Sequence, residues 1–137
     1  MARDVISLAL RRMVIARARQ RCEYCLLPDS HTTAPHHVDH VIPLKHGGLT
    51  IETNLAYACF ECNLYKGADI AAFDPLDGQM TRLFNPRLDV WGDSFKLEGG
   101  RIVGLDALGR AIVVLLRMNE EWRVLQRQLL MTAGIFG

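Results

Sequence analysis

Cys22-Glu23-Tyr24-Cys25, His37-Val38-Asp39-His40-Val41-Ile42-Pro43, His46-Gly47-Gly48, Asn54-Leu55 and Cys59-Phe60-Glu61-Cys62-Asn63 follow one another in that order, and Lys66 closes the series. Four thiols at metal-ligand spacing bracket an Asp-His pair and Asn54, and a second asparagine, Asn63, follows the last of them. The arrangement points to two metals with different tasks. The thiols would hold a fold together, and the oxygen and nitrogen donors between them would do chemistry.

The two Cys-x-x-Cys pairs are separated by 33 residues. Each is a tight turn that presents two thiolates to one tetrahedral ion. Thiolate softness selects zinc or iron over magnesium. A full shell of four sulfurs leaves no open position, so Cys22, Cys25, Cys59 and Cys62 are expected to bind a structural Zn²⁺. A redox pair is the competing reading, but neither motif follows a strand in a βαβ pattern. Two unconnected buried thiol pairs are the plainest alternative.

Asp39, between the thiol pairs, and Asn63, directly after Cys62, offer a carboxylate and an amide oxygen, hard donors suited to Mg²⁺ or Mn²⁺. Two protein ligands leave room for water and phosphate oxygens. His40, with an ordinary pKa near neutral, is the residue to take a proton from water. Adjacent strand residues point to opposite faces, so Asp39 and His40 can serve one site only where the strand twists or ends. His37 shares a face with Asp39 and reads as an extra ligand, a phosphate contact or a plain strand histidine. Asn54, after the Gly-rich loop, is expected to tie that loop to backbone groups. Lys66, one helical turn beyond Asn63, reads as a phosphate contact or as a solvated lysine. His46 is placed near the site, and His31 and His36 at the surface.

The 137 residues, 50% apolar and 23% charged, have the composition of a globular domain. The net charge of +1 is uninformative, but residues 1–21 hold six arginines against one acid, Asp4. That run is a phosphate-facing surface or a solvated helix face. No stretch has the roughly 20 consecutive apolar residues of a membrane span. The N-terminus has no signal-peptide pattern, because Arg11 and Arg12 interrupt its apolar residues. Thiol pairs without a secretory context place the chain in a reducing cytoplasm.

The coarse organisation is α+β in three segments: a basic amphipathic helix over 1–20, a core over 21–72 that carries the thiols and the Asp-His pair, and an extension over 73–137 packed on it. In the helix the apolar set Val5, Leu8, Ala9, Met13 and Ala16 lies beside Ile6, Leu10 and Val14. Strands are expected over His37–Ile42 and Leu55–Cys59, with a short helix from Cys62 to Ala72. Residues 73–93 read as extended loop. Gly99-Gly100 joins a hairpin of Phe95–Glu98 and Arg101–Leu105. Asp106 caps a helix through Met118, and Asn119 caps another that ends near Gly134. The Leu, Ile and Val residues of the tail read as core.

Taken together, His-Val-Asp-His-Val-Ile-Pro, Gly-Gly, Asn-Leu, Cys-x-x-Cys-Asn and Lys-Gly resemble the HNH endonuclease family, in its zinc-stapled, standalone bacterial branch, over about residues 21–67. The resemblance implies a ββα-metal (His-Me finger) fold in which two antiparallel strands and a helix clasp one divalent ion. It implies Asp39 and Asn63 as ligands of that ion, His40 as general base and Asn54 as the residue that orders the loop. Asn rather than His at the last position implies Mg²⁺ or Mn²⁺. Leu83-Phe84-Asn85-Pro86-Arg87 and Gly104-Leu105 resemble an extension of small bacterial members. The expected activity is metal-dependent hydrolysis of phosphodiester bonds in DNA, leaving a 3′-hydroxyl, with RNA as the less favoured substrate. A non-catalytic zinc-stapled nucleic-acid-binding module is the alternative. No membrane partner is expected, and monomer and homodimer both stay open.

Overall fold

In a computed structural model of the chain, residues 5–136 are described. β1 (His37–His40) pairs antiparallel with β2 (Leu55–Ala58), Asp39 opposite Ala56 and His40 opposite Leu55. α2 (Phe60–Lys66) follows at once, with Cys59 as its N-cap. These three elements are the expected ββα unit, each shorter than its sequence signal. The β-branched run extends to Ile42, yet the ladder stops at His40. Val41 still donates its N–H to the Asn54 carbonyl at 2.8 Å, but the Ile42 N–H goes to the Asn54 side chain at 2.9 Å. Pairing thus passes from backbone to side chain, and the strand opens into the glycine loop.

α1 (Leu8–Arg17) is also shorter than expected. Ser7 caps it by accepting the Leu10 N–H at 3.2 Å. Arg19 and Gln20, with φ of 56° and 61°, end it. The Ile6, Leu10 and Val14 set is used, and Met13 is drawn in from the other. Ile6 and Val14 are buried with Leu10 and Met13 against Leu55, Tyr57 and Val38, whereas Val5 and Leu8 are exposed. Arg17 reaches back to the sheet, donating to the carbonyls of Glu52 at 2.9 Å and Leu55 at 2.7 Å. Arg3 and Asp4, part of the basic run, lie outside the described residues.

The helix expected through Ala72 ends at Lys66, where Gly67 takes a φ of 49°. Ala71–Phe73 forms β3 instead and pairs with β4 (Met80–Arg82), so a boundary after residue 72 falls inside a strand. α3 (Trp91–Ser94) leads into the hairpin of β5 (Phe95–Glu98) and β6 (Arg101–Gly104), turned by Gly99 and Gly100 as read from the sequence. Asp106 caps α4 (Ala107–Leu115) through the Gly109 N–H at 2.8 Å. Gly109 is needed there, since a Cβ would lie 2.0 Å from the Ser94 carbonyl oxygen. Asn119 does not cap α5 (Glu121–Thr132). Its side chain pairs with the Ile102 backbone, at 2.9 Å to the N–H and 2.8 Å to the carbonyl.

The tail does not form a layer of its own. One buried cluster joins the four cysteines and Tyr24 to Phe84, Phe95, Ile102, Ile112, Leu116 and Met118. The knuckles therefore sit in the middle of the main core, and residues from α4 and β6 close over them.

Candidate active site and metal centre

The knuckle turns place the thiols. Cys22 Sγ accepts the N–H groups of Tyr24 and Cys25, each at 3.4 Å, and Cys59 Sγ accepts that of Cys62 at 3.4 Å. All four Sγ atoms lie within 4.8 Å of one another, with Cys25 and Cys59 at 3.6 Å. That separation is far beyond a disulfide bond, about 2.05 Å. It is close to the edge, about 3.8 Å, of a tetrahedron built on Zn–S bonds of about 2.3 Å. The cysteines are at most 1% exposed. Burial pushes the Cys22 and Cys62 thiols up, while hydrogen bonding from Cys22 pulls Cys25 down. Four thiolates in such a place require positive charge among them. Donor set, spacing and burial all fit a structural zinc ion.

Residues far along the chain grip each knuckle. The Trp91 indole donates to the Tyr24 carbonyl at 2.8 Å, and Phe84 meets the Tyr24 ring edge-on with centroids 6.5 Å apart. Arg87 forms an ion pair with Glu23, whose other oxygen accepts the Tyr57 N–H at 3.3 Å. On the second knuckle, the Arg123 guanidinium lies 3.2 Å from Cys62 Sγ and 3.8 Å from Cys59 Sγ. Sequence reading missed Arg123. Its signal was a stripe of Arg123, Val124 and Arg127 on one face of α5, which reads as solvated charge until the face is known to be buried.

The oxygen and nitrogen donors lie on the strand end and on α2, just past the second knuckle. Val38 joins the cluster under α1, so His37 and Asp39 face the other way, toward α2. There Lys66 Nζ comes within 4.0 Å of the Asp39 carboxylate. Asn63 precedes Lys66 by three residues and shares its helix face. Asn63 is half-buried, and its side chain has no hydrogen-bond partner among the described residues. Burial holds Asp39 above the ordinary carboxylate range, against the opposing pull of Lys66.

Lys66 is 1% exposed and donates to the carbonyls of Val41 at 2.9 Å and His40 at 3.4 Å. It faces the end of β1, not solvent. Its burial lowers the pKa of its ammonium group, and Asp39 acts against that.

The His40 ring is held by Thr50, with Nε2 and Oγ1 2.8 Å apart. Thr50 carried no sequence signal beyond its place in the loop. Asn54 fastens that loop at two points. Its amide donates to the carbonyls of Ile42 at 3.0 Å and Leu49 at 2.9 Å, while its oxygen takes the Ile42 N–H. Gly48 lets the loop close, because a Cβ there would sit 1.7 Å from the Ile42 carbonyl oxygen. His37 is exposed beside Phe60, with ring centroids 6.5 Å apart. His46 and His31 are exposed. His36, expected at the surface, is buried instead. Its ring lies tilted against Tyr57, centroids 5.2 Å apart, and bonds the Leu27 carbonyl at 2.8 Å.

A ββα unit with an Asp-His strand end, a loop tied by Asn54 and a helix anchored by the second knuckle is now in place. Residues 22–69 match the HNH endonuclease family model. No curated protein and no solved structure matches the chain. The HNH segment starts at the first thiol and runs just past α2, so it contains both knuckles and every expected ligand. It supports a nuclease-type or nucleic-acid-binding role. Among the described residues no helix is long and apolar enough to cross a membrane.

Proposed function

We propose that this protein is a metal-dependent endonuclease that hydrolyses phosphodiester bonds in DNA. The observation that carries the reading is the meeting of Asp39, Lys66 and the Asn63 face of α2 at the end of β1, where Thr50 also holds the His40 ring. Asp39 and Asn63 would hold Mg²⁺ or Mn²⁺. Their donor chemistry fits: one carboxylate is partly exposed, and one amide has no partner among the described residues. When bound, such an ion stabilises negative charge on the phosphate and on the departing oxygen.

The protein groups do the remaining work. With Nε2–H given to Thr50, His40 Nδ1 takes the proton of the attacking water. Asn54 keeps the loop shut, so the ring keeps its angle. Lys66 is assigned here as a positioning residue: its ammonium fixes the two carbonyls at the strand end and the Asp39 carboxylate beside them. Scission of the P–O bond would leave a 3′-hydroxyl. Arg11 and Arg12 on α1 and Arg19 just beyond it, all exposed, offer charge for the phosphate backbone. Ligand-spaced thiols favour a reducing cytoplasm as the compartment.

Plasmid nicking with Mg²⁺ or Mn²⁺ tests this directly. His40→Ala is expected to lower the rate by about 10²–10⁴-fold while keeping its zinc and its fold. Equal nicking by the two proteins would sink the mechanism, and no nicking by wild type would leave a zinc-stapled nucleic-acid-binding module. Cleavage of RNA but not DNA would keep the chemistry and change the substrate.

A further inference from the structure

Arg123 is a buried cation that the chemistry above does not use. It is 2% exposed. Its Nη1 donates to the carbonyls of Leu116 at 2.6 Å and Arg117 at 3.1 Å, just past the end of α4. Its Nη2 turns the other way, to Cys62 Sγ at 3.2 Å and Cys59 Sγ at 3.8 Å. Among the described residues no carboxylate forms an ion pair with it. A guanidinium buried without a counter-charge is costly. Four thiolates around one dication leave two negative charges, and these sulfurs are what Arg123 faces.

Arg127 makes a useful contrast. It is equally buried and lies one helical turn further along α5. It donates only to oxygen: Gly100 at 2.6 Å, Met118 at 2.5 Å and the Asn119 side chain at 3.3 Å. Both arginines stitch the C-terminal helix to the core, but one of the two touches sulfur.

We propose that Arg123 is the outer partner of the four-cysteine centre and that its guanidinium sets how tightly the zinc ion is held. The second knuckle is thereby completed by a residue 61 positions downstream of Cys62. N–H donation spreads the charge of the thiolate and orients it, as outer groups do at metal sites generally. The HNH segment then depends on α5 for its metal as well as for its packing. The proposal rests on the zinc reading of the cluster and not on the nuclease reading.

The test uses the full-length, zinc-loaded protein. Zinc is drawn off by a chromogenic chelator from wild type, Arg123→Met, Arg123→Lys and Arg127→Met, and circular dichroism follows the fold. In parallel, Co²⁺ replaces zinc and the thiolate-to-cobalt absorption is recorded. Arg123→Met is expected to weaken zinc binding by about 10–100-fold and to shift the cobalt band. Arg123→Lys, which keeps the charge but loses the fork, is expected in between. Arg127→Met should lose thermal stability yet hold zinc as wild type does. If Arg123→Met binds zinc as wild type does, or Arg127→Met loosens it equally, the proposal is wrong. Should Arg123→Met fail to fold, the lysine variant decides: unchanged affinity and an unchanged band overturn it. Wild type purified without stoichiometric zinc would remove the zinc reading along with this proposal. Wild type with zinc and an indifferent Arg123 would remove the proposal alone.

Discussion

The two knuckles and the strand end at Asp39–His40 lie within one short segment and are held in opposite ways. The sulfurs are sealed in the main core, and each knuckle is gripped by residues far along the chain, Arg87 and Trp91 on the first and Arg123 on the second. The strand end is only half-buried and is held mostly by neighbours in the HNH segment: Thr50, Asn54 and Lys66. One region has long-range support and no open position. The other has local support and polar groups facing outward. Damage to the first should be read in stability, and damage to the second in rate.

The largest effect expected is at the sulfurs. Structural zinc contributes about 10–16 kcal/mol in isolated zinc-finger peptides, so metal and folding are coupled. Cys59→Ser, or removal of zinc by a chelator, should abolish stoichiometric metal and the cooperative thermal transition together. A variant that melts like wild type would erase the distinction between the two regions.

A smaller loss is expected at the clasp on the first knuckle. Burial raises the pKa of Glu23 and lowers that of Arg87, so desolvation outweighs their mutual attraction. Such a pair adds little net stability, yet breaking it strands a buried charge. Arg87→Met should cost about 3–5 kcal/mol in chemical denaturation. Glu23→Gln combined with Arg87→Met should recover a large part of that loss. A double variant no more stable than Arg87→Met would show the clasp to be net stabilising, and would sharpen the account of how the tail holds the knuckle.

The smallest change in stability should come from the strand end, where rate is the informative readout. Thr50→Val removes the partner of His40 Nε2. It should shift stability by about 1 kcal/mol or less. Its nicking rate should fall about tenfold, the equivalent of roughly 1.4 kcal/mol of lost positioning. A variant that loses its fold and keeps its specific rate would reverse the comparison.

Much of the HNH segment was legible because its signals are local. Cys-x-x-Cys fixes a turn, Pro43 and Gly48 fix a loop, and Asn54 can bond only what lies near it. The tail was less legible. Glycines and prolines over 73–93 concealed the hairpin of β3 and β4, whose strands are three residues each and too short to show a period. Asn119 carried a sound capping signal, and the Ile102 backbone took it instead. Lys66 and His36 both read as surface residues by type. Each became interior because backbone carbonyls, at the end of β1 and at Leu27, needed a donor.

The sequence by itself determined the four-cysteine set, the order of the ββα elements and the Asp-His strand end, since spacing and turn chemistry act over a few residues. Tertiary structure alone decided which cations serve the protein's own framework. Arg17, Lys66, Arg87, Arg123 and Arg127 look alike along the chain. Each found its role only when folding brought an unpaired carbonyl, carboxylate or sulfur within about 3 Å, the reach of a hydrogen bond, and, at all but the exposed Arg17, removed the water that would otherwise have satisfied it.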